Sequence, residues 1–207
     1  MDDNWKNSRV SAHLQESIDT LQRVQEICFD EIIVAATQLA IVLQAGGKIL
    51  LCGNGGSAAD CQHMAAELVS ILSLNFERPA LAAIALTTDT SLLTAYSNDF
   101  GFEGVFERQV LALGKPDDAL IGISTSGNSK NVVRAIKTAN TIGMCTIALS
   151  GLGGQLPEIA DFAVSVPSED TQQIQEAHAV IIHILCDLIE RSVFSEKASR
   201  SWLPKSI

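Results

Sequence analysis

The sequence predicts an α/β fold, a three-layer sandwich on a five-stranded, mainly parallel sheet, and three observations carry the layered reading. Short apolar runs that end in polar or glycine residues recur five times along the chain. Segments of helical periodicity separate them, which is the pattern of right-handed β-α-β crossovers. The apolar content is mostly aliphatic, 47% hydrophobic but only 5% aromatic, as strands buried on both faces require.

Taken in order, apolar residues at Val10, Leu14, Ile18, Leu21, Val24 and Cys28 recur every three or four positions and predict a first amphipathic helix. A second covers about Asp30–Gln44 and stops at Gly46 and Gly47. Residues 1–45 thus read as an N-terminal helical hairpin whose apolar stripes need a cover, and a partner subunit is favoured over the sheet. The strands are KILLCG (48–53), LAAIALTT (81–88), DALIGIST (118–125), MCTIALSG (144–151) and FAVSVP (162–167). Helices near Ser57–Leu72, Thr90–Leu113, Ser129–Ile142 and Leu156–Ala160 connect them, and a long helix from Thr171 to Phe194 closes the fold. The polar tail, 195–207, is expected to be loosely held. No linker or repeat divides the 207 residues, a length that suits one domain.

Composition narrows the function. With 24 acidic against 14 basic residues the net charge is -10, so long-range electrostatics repel nucleic acid. An anionic small ligand must then be held by backbone amides, hydroxyls and helix N-termini. The five cysteines are scattered and form no C-x-x-C pair, which reads as reduced thiols. The N-terminus has no apolar signal core and no stretch reaches about 18 apolar residues, so a cytoplasmic location away from membranes is expected.

In a parallel sheet, ligands collect beyond the carboxyl ends of the strands. After the first strand stands Cys52-Gly53-Asn54-Gly55-Gly56-Ser57, where glycines let backbone approach a ligand; alone, this equally fits a tight strand-to-helix turn. After the third stands Gly122-Ile123-Ser124-Thr125-Ser126-Gly127-Asn128-Ser129. An N-cap explains one hydroxyl there, not four, so Ser124, Thr125, Ser126 and Ser129 predict a phosphate cradle at a helix N-terminus. His63 and Glu67, four apart, share one helix face and suit either acid-base work or a metal.

Four segments resemble the sugar isomerase (SIS) family, and within it the bacterial phosphoheptose isomerase branch: CGNGGSAADCQHMAAEL (52–68), SNDFGF (97–102), GISTSGNS (122–129) and IQEAHAVIIHIL (174–185). The resemblance spans nearly the whole chain. It implies the flavodoxin-like strand order, a homotetramer with active sites at subunit interfaces, and isomerisation of sedoheptulose 7-phosphate to glycero-manno-heptose 7-phosphate, the first step toward ADP-heptose and the lipopolysaccharide core. It further implies one zinc ion per subunit on His63, Glu67, Gln175 and His183, with Glu67 the base and His183 the acid of a cis-enediol proton transfer. The implied substrate contacts are Asn54, Gly55, Gly56, Glu67, Asn98, Asp99, Ser124, Thr125, Ser126, Ser129 and Gln175. His178 is read as structural.

Helix geometry complicates that metal set, since eight residues of straight helix place Gln175 and His183 about 12 Å apart along the axis. Either the helix starts irregularly or one ligand comes from another subunit. A zinc-bound carboxylate is also a poorer base, so the ion assists structurally or its coordination changes during turnover. Two departures from the family pattern, Ser70-Ile71-Leu72 in place of an arginine and Gln172 in place of an acid, bear on the sugar more than on the reaction. Competing readings are a non-catalytic family member that binds the replication initiator, a sugar-phosphate sensor, and an isomerase of another sugar phosphate. Retention of Glu67 and His183 weighs against the first, and the lack of room for a DNA-binding domain against the second.

Overall fold

The computed structural model describes residues 4–194. The N-terminal region is helical: α1 (Asn4–Ile27) and α2 (Phe29–Gln44) are joined through Cys28 alone. Five strands follow, β1 (Ile49–Gly53), β2 (Ala83–Ala85), β3 (Ala119–Ser124), β4 (Cys145–Ser150) and β5 (Phe162–Ser165). Between and after them lie α3 (Gly56–Val69), α4 (Thr90–Phe100), α5 (Val105–Leu113), α6 (Lys130–Ile142), α7 (Leu156–Ile159) and α8 (Thr171–Val193). All strand pairs are parallel and the order is β2-β1-β3-β4-β5, as expected.

Alternation along the strands splits the core in two. Ile49 and Leu51 of β1 and Ile121 and Ile123 of β3 face α2, α3 and α8. Leu50, Cys52 and Leu120 face α5 and α6, where Phe106, Val110, Val132 and Ile136 close the other layer. Every residue of β1 and β3 is buried, which explains why these runs are continuously apolar rather than alternating. The long α8 enters through an Asp170 N-cap, whose carboxylate accepts from the amides of Gln172 (2.8 Å) and Gln173 (3.1 Å). It buries Ile174, Ala177, Ile181, Ile182, Leu185 and Ile189, a stripe at helical spacing.

Two sequence expectations need correction. The helix expected over Thr90–Leu113 is broken: α4 ends at Phe100, Gly101 takes φ 88°, a short 3-10 turn covers Phe102–Gly104, and α5 begins at Val105. Such a positive φ is a position that only glycine occupies cheaply, so the apolar periodicity ran through a true stop. Asn98 and Asp99 therefore sit in the last turn of α4, and the N-cap of that helix is Asp89, which accepts from the Leu92 amide at 3.0 Å. Second, the strand read over 81–88 is only three residues long, because β2 is an edge strand with β1 as its single neighbour. The expected loose tail, 195–207, lies outside the described residues. Among the described residues, no helix is long and apolar enough to cross a membrane.

Candidate active site

The strand order reverses direction between β1 and β3, and at such a switch point the loops leaving two adjacent strands diverge and open a crevice. Gly53 pairs with Ile123 in register, so the glycine loop of residues 54–56 and the hydroxyl loop of 124–129 leave the sheet side by side.

The hydroxyl loop is tied in place. Ser124 Oγ donates to Ser129 Oγ at 2.9 Å and lies 3.5 Å from Ser126 Oγ. The Asn128 amide donates to Ser126 Oγ at 3.2 Å, and the amides of Gly127 and Gly151 donate to the carbonyls of Ser124 (2.9 Å) and Thr125 (3.0 Å). Gly127 has φ 64°, and a Cβ there would lie 2.4 Å from the Gly153 carbonyl oxygen, so both conformation and space demand glycine. Ser129 precedes α6 but its side chain makes no capping bond to it, and in the first turn the Val132 amide donates to Asn131 Oδ1 at 3.0 Å. Four hydroxyl-bearing residues thus precede the positive end of a 13-residue helix, a set of donors that suits a phosphate without a lysine.

Of the glycine-loop residues, Gly55 and Gly56 are exposed and Asn54 is half-buried. The Asn54 side chain is paired at both ends: its Nδ2 donates to Asn131 Oδ1 (2.9 Å) while Asn131 Nδ2 donates back to Asn54 Oδ1 (2.8 Å). Asn131 is buried in the first turn of α6, so this reciprocal pair locks the two loops together. Gln175 lies against the same loop, since a Cβ on Gly56 would come within 2.6 Å of its Nε2. Asn98 and Asp99 are exposed and bonded to each other, Asn98 Nδ2 to Asp99 Oδ1 at 2.9 Å.

A second cluster stands on α3 and α8. His63 Nε2 lies 3.2 Å from Glu67 Oε1 and 3.0 Å from His183 Nε2, and the three ligating atoms fall within 4.8 Å of one another. The imidazoles meet edge-on, with ring centroids 4.9 Å apart. Two imidazole nitrogens face each other there. In the neutral state one must present a lone pair, and a cation between them would satisfy both together with the carboxylate. Two nitrogens and one oxygen in so small a volume is a donor set that fits zinc. Gln175 does not join it within the chain: α8 is regular from Thr171 onward, and Gln175 lies two turns before His183 against the N-terminus of α3.

Neighbouring titratable groups are set by burial. Asp60, one turn before His63, is held above the usual carboxylate range by desolvation, which His63 partly offsets, and its Oδ2 is buried without a partner. The thiol of Cys186, one turn after His183, is pushed up to about 12 by burial and by the charges of Glu67 and Glu190, which keeps it a neutral packing group. His178 is fully buried with Nε2 3.2 Å from the Ser150 carbonyl, and desolvation lowers its pKa to about 4. It faces the β4 end and not the crevice cluster, in keeping with a structural role.

Sequence reading overlooked Asn131, Asp60 and the pair Arg78–Glu190. Asp60 was findable, one helical turn from His63. Asn131 and Arg78 carried no such signal, because their partners are 77 and 112 residues away.

A hydroxyl-rich loop at a helix N-terminus and a His, Glu, His cluster on one α/β domain are the donor sets that suit a phosphorylated small molecule and proton transfer. The chain belongs to the SIS domain family, which residues 12–151 match. It is similar to the phosphoheptose isomerase of Helicobacter pylori, 53% identical over 180 residues that cover 86% of this chain and 88% of that one. Among solved structures it resembles phosphoheptose isomerase GmhA from Neisseria gonorrhoeae, with a TM-score of 0.83 and 48% identity over 88% of this chain and 97% of that one. The phosphoheptose isomerase of Francisella tularensis superposes with a TM-score of 0.86 at 37% identity, covering 90% of this chain and 98% of that one.

Proposed function

We propose that this chain, acting as a single SIS domain over 1–207, is a sedoheptulose 7-phosphate isomerase that yields D-glycero-D-manno-heptose 7-phosphate, the first step toward ADP-heptose for lipopolysaccharide. What supports the reading is the His63, Glu67, His183 cluster, whose ligating atoms lie within 4.8 Å of one another, in a chain that also carries the Ser124–Ser129 hydroxyl loop at a helix N-terminus. Relatives of about half-identical sequence over most of the chain support the sugar.

In this reading the phosphate rests on Ser124, Thr125, Ser126 and Ser129, while Asn98, Asp99, Gln175 and the Gly55–Gly56 backbone orient the sugar hydroxyls. Glu67 takes the proton from C1 of the ketose as the C2 carbonyl oxygen gains one, giving a cis-enediol. The proton returns to C2 as the C1 hydroxyl loses its own, and the aldehyde forms. His183 passes the oxygen-bound protons. Positioned groups of this kind contribute about 10² to 10⁴-fold each. Zinc would be held by His63, Glu67 and His183, with a partner subunit's glutamine at the position of Gln175 as the remaining ligand, because the regular helix keeps Gln175 away within one chain. The chemistry a bound ion supplies is positive charge beside the oxygens that become anionic.

A homotetramer with sites at subunit interfaces is the assembly we assign. What supports it is the exposed stripe Trp5, Val10, Leu14 and Ile18 on α1, a helix that buries only Thr20 and Val24 in the monomer. The protein is assigned to the cytoplasm, where its sugar phosphate substrate is made.

The test is an assay of purified protein against a panel of ketose phosphates, with metal analysis and sedimentation on the same sample. Equilibration of sedoheptulose 7-phosphate with an aldoheptose phosphate, inhibited by chelation and restored by zinc, is expected. Inactivity of a zinc-loaded tetramer on the whole panel would overturn the enzymatic reading in favour of a binding role.

A further inference from the structure

The helix that carries His63 and Glu67 ends in an unusual way. Carbonyls at the C-terminal end of α3 are taken by a side chain from the following loop. Arg78 Nη2 donates to the Glu67 carbonyl at 2.8 Å, and Nη1 donates to those of Leu68 (2.8 Å), Ser70 (3.3 Å) and Pro79 (2.9 Å). The same guanidinium reaches α8: Nε and Nη2 donate to Glu190 Oε1 at 2.9 and 2.5 Å. Glu190 Oε1 also accepts from the Leu72 amide at 3.1 Å, just past the helix. Arg78 is 2% and Glu190 1% exposed. Glu190 lies seven residues after His183, two turns on and on the same side of α8.

One buried guanidinium therefore joins the two helices that supply the cluster, and it bonds the backbone of Glu67 itself. Apolar contacts between α3 and α8 hold the helices together but allow them to slide and rotate. Directed bonds from a planar fork fix both the axial register and the rotation of α3. A buried ion pair adds little net stability over an apolar pair of the same volume. What it adds is placement, and placement matters where a shift of about 1 Å costs about 100-fold in rate.

We propose that Arg78 and Glu190 are positioning residues for the His63, Glu67, His183 cluster, setting the relation of α3 to α8 on which metal affinity and proton transfer depend. The proposal rests on the reading of that cluster as a metal and acid-base site.

The experiment compares the full-length parent with Arg78→Lys, Glu190→Gln and Leu39→Ala, the last a core substitution in α2, outside the two helices that the clamp joins. Zinc affinity of the metal-stripped proteins is measured by competition with a chromophoric chelator, beside kcat, KM and amide exchange over residues 61–70. For Arg78→Lys we expect zinc binding weakened about 10- to 100-fold, the range seen when groups behind metal ligands are altered. We also expect a fall in kcat with KM within about twofold and faster exchange over 61–70. Leu39→Ala should lose thermal stability yet keep its zinc affinity. Parent-like affinity and kcat in Arg78→Lys would overturn the proposal, as would equal losses in Leu39→Ala at matched stability. Should Arg78→Lys fail to fold, Glu190→Gln answers through the same readouts. A parent that binds no zinc would sink the metal reading, while kcat and exchange in the variants would still decide the clamp.

Discussion

In the hydroxyl loop the candidate ligand groups come from six consecutive residues, 124–129, bonded to one another and buttressed by the Gly151 and Leu156 amides. In the helix cluster His63 and His183 meet across 120 residues of sequence, and their relation depends on how two helices pack. The first is a motif whose chemical groups are contiguous in sequence, although bonds from residues 151–156 help to hold it. The second exists only while α3 and α8 keep their register, so it is the more fragile in mutation and the more exacting in chemistry. The difference teaches where binding and where turnover are sensitive: damage to the loop should raise KM, and damage to the helix pair should lower kcat.

The largest expected effect falls on the helix side. His183→Ala should lower kcat by about 10² to 10⁴-fold with little change in KM or melting temperature, since the residue is exposed. A matching rise in KM would blur the division. Next comes a pH effect on the loop side. His178 contacts the Ser150 carbonyl, adjacent to Gly151, whose amide holds the Thr125 carbonyl. Its folded pKa of about 4 lies below the unfolded value of 6.5, so the unfolded state binds the extra proton between the two. Stability is then full above about pH 6.5 and declines as pH falls toward 4, by about 3 kcal/mol in all. Urea melts of the parent and His178→Gln at several pH values read this out. A parent no more acid-sensitive than the variant would refute it.

Smaller effects sharpen the boundary. Ser124→Ala removes the hydroxyl at the centre of the cradle, and hydrogen bonds to charged groups at about 1.5–3 kcal/mol imply a KM raised about 10- to 100-fold with kcat nearly kept. Initial-rate kinetics decide this, and a kcat defect instead would place Ser124 in turnover. Asn131→Ala leaves the Asn54 amide without its partner and should cost about 1–3 kcal/mol of stability by urea titration, with only a modest rise in KM. No loss of stability there would mean that the two loops are held apart by other contacts.

The legible parts of this molecule are those with short-range causes. Continuous apolar runs gave β1 and β3 nearly to the residue, because burial on both faces leaves a pattern in composition. The hydroxyl cluster was readable because its members are contiguous, and His63 with Glu67 because a helix puts positions four apart on one face. The break at Gly101 was missed because apolar periodicity continued on both sides of it. The family resemblance brought in Gln175 and His183, which nothing in their spacing would pair with α3.

By itself the sequence determined the parallel sheet, the phosphate cradle and one face of the acid-base cluster, since each follows from side chains within a few residues of one another. Only the tertiary structure decided that His183 meets His63, that Gln175 stays two turns away beside Gly56, and that Arg78 ties α3 to Glu190. Those relations are set by the axial register of two packed helices, which depends on contacts between residues far apart in the chain and which no local stretch of sequence encodes.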